Sequence, residues 1–256
     1  MNRIDRTFKE LGRSGKKALI PYIMAGDPDL DATKTYINDL ESSGADIIEL
    51  GVPFSDPLAD GPTIQRAAER SLKKGTTLKK VLGLVKDIRK TSEIPLILMT
   101  YYNPVFKMGI ESFITKAVKS GVDGVIIPDL IPDEADEFIK LSKQHKLDTI
   151  FLLAPTSTND RIRKVTKAST GFIYYVSITG ITGAKLSMGN LMKNTLDTIN
   201  RTTRKPVAVG FGVSNAKEAA AVAILADGVI IGSAIVKLIA KGKSIRSFVK
   251  NIRKAI

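Results

Sequence analysis

Cysteine is absent from the 256 residues, which excludes disulfides, a thiol nucleophile and thiolate metal ligands. Histidine occurs once, at His145, too few for a histidine-based metal site. No apolar run approaches the roughly 18 residues of a membrane-spanning helix. The opening stretch MNRIDRTFKELG holds no apolar signal core. No linker or low-complexity segment interrupts the chain. The expectation is one cytoplasmic domain over residues 1–256, with no membrane segment, no metal and no cofactor of its own.

Positive charge is abundant: the formal net charge is +13. Such a balance suits nucleic acid. The lysines, however, are scattered over predicted helix faces, without a stripe of interleaved aromatics. The expectation is no specific nucleic-acid partner and a surface field that favours an anionic substrate.

A hydrophobic content of 43% can bury a sizeable core. Hydrophobic runs predict strands at 18–24, 46–50, 95–99, 123–127, 149–153, 171–176, 206–209 and 228–231. Helical periodicity predicts helices at 3–11, 29–43, 62–73, 77–90, 110–120, 132–144, 158–168, 190–200, 214–225 and 244–254. Three helix-to-strand joins share a pattern: Gly44-Ala45-Asp46, Gly121-Val122-Asp123 and, more loosely, Ala226-Asp227-Gly228. Their glycines suit left-handed helix caps. Eight apolar strands, nearly all followed by helices, make a parallel sheet covered on both faces. Eight units in this length fit a closed (β/α)8 TIM barrel, with helix 3–11 laid across its N-terminal mouth. A doubly wound open sheet is the alternative. It would leave a weak edge strand, and none stands out.

In such a barrel the site lies at the C-terminal strand ends. There Glu49 sits near the end of an apolar strand. Asp60 follows across a proline-rich loop, before a helix opened by Pro62. An acid in an apolar strand is either paired or kept for chemistry. Burial raises such a pKa, so that the group can donate and accept a proton near neutrality. The alternatives are an ion pair with a lysine for Glu49 and a turn or cap role for Asp60. Asp56 reads as a turn residue, and His145, after helix 132–144, as a surface residue. Tyr174, ending the sixth strand, can offer its hydroxyl to a substrate oxygen. Gly210-Phe211-Gly212 and Gly232-Ser233-Ala234 follow the seventh and eighth strands. Free N–H groups and a short helix over 234–239 would clamp a phosphate there, with Gly183 adding a contact; tight turns are the alternative. Neither stretch matches a Walker A or dinucleotide fingerprint. Tyr22, Tyr101, Ile126, Leu152 and Phe211 would form an apolar wall. Loop 177–189 reads as a lid. The loop after strand two presents Val52, Pro53, Phe54 and Leu58, for closure or for a partner. Together these point to metal-free acid/base chemistry on a phosphorylated substrate with a flat apolar head.

The motifs ELGVPFSDPLADGPTIQ at 49–65, PYIMAGDP at 21–28, ITGITGA at 178–184, VGFGVS at 209–214 and GSAIVK at 232–237 resemble those of tryptophan synthase alpha subunits, over essentially the full chain. The resemblance implies reversible cleavage of indole-3-glycerol phosphate to indole and glyceraldehyde 3-phosphate, with neither metal nor Schiff base. It implies Glu49 as the catalytic glutamate, moving a proton to indole C3 and from the glycerol hydroxyl, and Asp60 as the aspartate that holds the indole N–H. It implies Tyr174 in substrate binding, and Gly183, Gly212, Gly232 and Ser233 at the phosphate. Thr182 would be the lid residue that closes onto Asp60. The implied partner is a beta subunit carrying pyridoxal phosphate (PLP), in an α2β2 assembly, receiving indole through a tunnel. The implied contacts are Pro53, Asp56, Leu58, Asn103 and Asp129. Two positions depart from the family pattern. Ile178 stands where arginine is frequent, and Tyr22 stands where phenylalanine is common, adding a hydroxyl that needs a partner. Another phosphate-binding barrel isomerase or synthase, or a non-catalytic activator of the beta subunit, stays open as an alternative.

Overall fold

The apolar runs become strands β1 (Ala18–Met24), β2 (Ile48–Gly51), β3 (Leu96–Met99), β4 (Gly124–Ile126), β5 (Asp148–Ile150, continued as Leu152–Leu153), β6 (Ile173–Val176), β7 (Val207–Gly210) and β8 (Gly228–Ile231). The computed structural model describes residues 1–176, 185–210 and 212–256, and of residues 185–190 the backbone alone. Every strand pairing is parallel. Pairing runs from the first segment of β5 through β4, β3, β2, β1, β8, β7 and β6 to the second segment of β5. Phe151 alone separates the two segments, so the sheet closes on itself through β5. An open sheet needs two edge strands; among the described residues none is left. The closed barrel is therefore the fold.

The helices are α1 (Arg3–Arg13), α2 (Leu30–Ser42), α3 (Pro62–Lys73), α4 (Leu78–Ile88), α5 (Tyr102–Met108), α6 (Ile110–Ser120), α7 (Asp136–His145), α8 (Asn159–Ala168), α9 (Lys185–Thr202), α10 (Ala216–Ala223), α11 (Ser233–Ala240) and α12 (Arg246–Arg253). The sequence gives no periodic signal for α5. Its start is secured from a distance instead: the Tyr102 N–H donates to both Asp129 carboxylate oxygens, at 2.9 and 3.2 Å. Pro104 is tolerated in the first turn, where its missing N–H has no intrahelical partner to lose. α7 starts at Asp136, later than expected, because Pro132–Glu134 winds as a 3-10 turn. His145 is the last residue of α7 rather than the first beyond it.

Strand alternation divides the core in two. Leu19, Ile23, Ile48, Leu50, Leu98, Val209 and Val229 pack outward against helix residues such as Val81, Phe113 and Phe138. Ile20, Ile47, Ile97, Ile126, Ile150, Tyr174, Ala208 and Ile230 fill the barrel interior, joined by Ile4 and Phe8 of α1. α1 closes the bottom of the barrel, as expected of a helix that precedes the first strand. Its start is capped by Asn2, which accepts from the Asp5 N–H at 2.8 Å and donates to Asp148 at 2.6 Å. Phe8 lies 5.6 Å from Phe172 between ring centroids.

The repeated joins have a common physical purpose. Asp46 accepts from the Leu19 N–H at 2.7 Å, Asp123 from Leu96 at 2.9 Å and Asp227 from Val207 at 2.9 Å. In each case the carboxylate entering one strand satisfies an N–H at the start of its neighbour. Gly44 (φ +98°) and Gly121 (φ +90°) make the left-handed turn that brings two of these aspartates into place.

Candidate active site

In β2, Ile48 and Leu50 face the helices, so Glu49 must face the barrel axis, between Tyr22 of β1 and Ile97 of β3. It is 1% exposed, and neither carboxylate oxygen has a hydrogen-bond partner. No lysine pairs with it among the described residues, so the ion-pair alternative is not what the fold builds. Burial first, and the charge of Asp60 second, raise its pKa from the usual carboxylate range to about 8. The group is a neutral acid at pH 7.

Asp60 reaches the same space from the loop after β2. It does not cap α3: the cap is Gly61, with no side-chain capping bond. Burial raises its pKa to about 6, against the pull of a hydrogen bond from Tyr101. The Tyr101 hydroxyl also accepts from the Ala59 N–H at 3.0 Å, and its ring stacks on Phe54 at 5.3 Å. Tyr101 therefore pins the loop that carries Asp60. Near neutrality the two acids stand in opposite states, Glu49 protonated and Asp60 ionised.

Tyr22 and Tyr174 are buried beside them. Burial and then the two carboxyl groups push both phenols up, so each remains a neutral hydrogen-bond donor. Their rings fit because two strand ends carry glycine. A Cβ at Gly51 would lie 2.1 Å from the Tyr22 hydroxyl, and one at Gly210 would lie 2.5 Å from that of Tyr174.

A cavity of about 570 Å³ joins Tyr22, Glu49, Asp60 and Tyr174 to Gly212, Gly232 and Ser233. The sequence-predicted acids and three of the four phosphate-end residues therefore meet in one space. Gly212 has φ +77°. Gly232 precedes α11 without a side-chain cap, which leaves the first N–H groups of that helix open to the cavity. Ser214 also lines it, but its N–H and hydroxyl both donate to Glu218, at 2.7 and 2.8 Å. The expected apolar wall is only partly realised. Ile126 lies in the barrel interior and Leu152 packs against it; neither lines the cavity among the described residues, and Tyr101 acts through Asp60. In their place Ile64, Met99, Ile230, Leu238 and Phe248 line it, with Lys237. Met99 and Ile230 come from strands β3 and β8; sequence spacing misses the others because they depend on how α3, α11 and α12 roll against the strands. Thr182, Gly183, Phe211 and Ile178 lie outside the described residues. The expected lid, 177–189, gives up its last residues to α9, which begins at Lys185.

Of the residues expected to meet a partner, Asp56, Leu58, Asn103 and Asp129 are exposed and Pro53 is buried. Leu58 is 90% exposed and Phe106, on α5, 65%. No cluster of three or more histidine, aspartate or glutamate side chains among the described residues is placed to hold a metal ion. No helix among them is long and apolar enough to cross a membrane.

The sequence profile described as "Tryptophan synthase alpha chain" matches residues 8–255. A tryptophan synthase alpha chain of Geotalea uraniireducens is 56% identical over 93% of this chain and 89% of its own length. That of Geobacter sulfurreducens is 50% identical over 100% and 99%. The crystal structure of tryptophan synthase subunit alpha from Legionella pneumophila superposes with a TM-score of 0.92 at 38% identity, covering 100% of this chain and 98% of that one. A chain of tryptophan synthase from M. tuberculosis, in an aminoacrylate-bound form, gives 0.91 at 36% identity, covering 100% of both chains.

Proposed function

The chain belongs to the tryptophan synthase alpha chain family, and from that membership we propose that it is a carbon–carbon lyase, cleaving indole-3-glycerol phosphate reversibly to indole and glyceraldehyde 3-phosphate. The observation that carries the reaction is the unpaired, buried Glu49 facing the same cavity as Asp60. Glu49, protonated at neutral pH, gives its proton to indole C3. The ring nitrogen becomes electron-poor, and the Asp60 carboxylate accepts its N–H and offsets the positive charge. Glu49, now a carboxylate, takes the proton of the glycerol hydroxyl next to the bond that breaks. The C–C electrons return to the ring, indole leaves, and the glycerol carbon becomes the aldehyde. Each proton that Glu49 gives it recovers, so the cycle closes without a cofactor.

Tyr174 and Tyr22 bound the indole end. Gly212, Gly232 and Ser233 bind the phosphate, with Gly183 joining them and Thr182 closing onto Asp60. The chain works as part of tryptophan synthase, passing indole to the beta subunit, whose PLP supplies the next step. We infer a cytoplasmic α2β2 complex, built on a barrel domain over 1–256 and contacted through Pro53, Asp56, Leu58, Asn103 and Asp129. The test is indole release from indole-3-glycerol phosphate by the full chain, with and without beta subunit. Release in both arms, faster with the partner, is expected. No indole in either arm overturns the reading.

A further inference from the structure

The phosphate end of the cavity offers backbone donors, which carry only partial positive charge. A phosphate monoester carries a charge of about −1.5 to −2 at neutral pH, whereas a helix N-terminus offers about half a charge. The only cation among the described lining residues is Lys237. It follows Ser233 by four positions on α11, so the two share a helix face. Side chains on a helix lean toward its N-terminus, which carries the Lys237 stem back toward the open N–H groups after Gly232. A lysine directed at a helix N-terminus opposes the macrodipole, an arrangement that an anion between them reverses. The same cavity holds Glu49, buried and unpartnered, which marks the space as built for a ligand. Among the described residues no carboxylate forms an ion pair with Lys237.

We propose that Lys237 is a phosphate-positioning residue, closing the open side of the clamp as a point charge on the substrate phosphate. This rests on the phosphate reading above. Lysine suits the task because its ammonium, on a flexible stem, can follow a phosphate as it enters and leaves.

The experiment is calorimetric titration of the full chain with glycerol 3-phosphate and, separately, with indole, at low and high salt. It compares the wild type with Lys237→Met and Lys237→Arg. The expected result is a loss of about tenfold or more in glycerol 3-phosphate affinity for K237M. That loss should shrink at high salt, because the lost contact is ionic. K237R should recover most of the affinity, and indole affinity should be unchanged in both variants. Equal glycerol 3-phosphate affinity in wild type and K237M overturns the role of Lys237 while the phosphate reading stands. A matching loss of indole affinity also overturns it, since Lys237 would then shape the cavity rather than hold the phosphate. If the wild type itself binds no glycerol 3-phosphate, the phosphate reading falls and takes this role with it.

Discussion

Glu49 places a carboxyl where the unfolded chain would not keep it protonated. Unfolded, it loses its proton near the ordinary value of 4.5; folded, it holds the proton up to about pH 8. The folded state binds more protons across that window, so its contribution to stability is present below pH 4.5 and is lost as pH rises through about 8. Glu49→Gln keeps the shape and removes the titration. The expected outcome is a variant more stable than wild type at pH 8.5 by a few kcal/mol, at about 1.4 kcal/mol for each pH unit between the unfolded and folded pKa values, with the gap closing at pH 4.5. Urea unfolding at both pH values measures it; an equal gap at both would contradict the burial cost. Glu49 is legible in the sequence because an acid in an apolar strand has few explanations. Asp60 is less so, since Asp before Gly-Pro also suits a turn, and only the structure shows that Gly61 takes the cap. Lys237 is one lysine among many until the roll of α11 places it in the cavity.

Among the elements, the barrel's strands and most helices are readable because each carries one clear period. α5 is not, because its cap comes from Asp129, 27 residues away from Tyr102. The three aspartate joins are visible as a motif, but their purpose appears only when neighbouring strands are paired. Asp123 is the most connected: it accepts from Arg89 at 2.7 Å, from Arg3 at 3.1 Å and from the Leu96 N–H. Both the carboxylate and Arg89 are largely buried. Asp123→Ala leaves the guanidinium without its counter-charge, a change that typically costs about 3–5 kcal/mol. Thermal and denaturant unfolding should show that loss, while the more exposed pair of Lys164 with Asp160 can be removed at little cost. Equal effects would contradict the stitching role.

For the whole molecule, the question is which surface meets the partner. Leu58 stands almost fully exposed on the loop that also carries Asp60, and Tyr101 ties that loop to the start of α5. A partner covering Leu58 would therefore also hold Asp60 in place. Leu58→Asp should leave the isolated chain's stability within about 0.5 kcal/mol, as an exposed position allows. It should weaken association with the beta subunit by roughly tenfold or more, as loss of an interface anchor does. Calorimetric titration of beta subunit into each form checks this; unchanged affinity would place the interface elsewhere.

The central claim is that Glu49 and Asp60 divide the proton work by holding opposite protonation states, and the pH dependence of kcat/KM for indole release tests it most directly. Activity should rise through about pH 6 as Asp60 ionises and fall through about pH 8 as Glu49 loses its proton. Asp60→Asn should lower the rate, remove the lower limb and move the upper limb to lower pH without abolishing it, because burial still raises Glu49 but the Asp60 charge no longer does. A profile with no fall near pH 8, or a D60N enzyme whose lower limb is unchanged, would contradict the assignment.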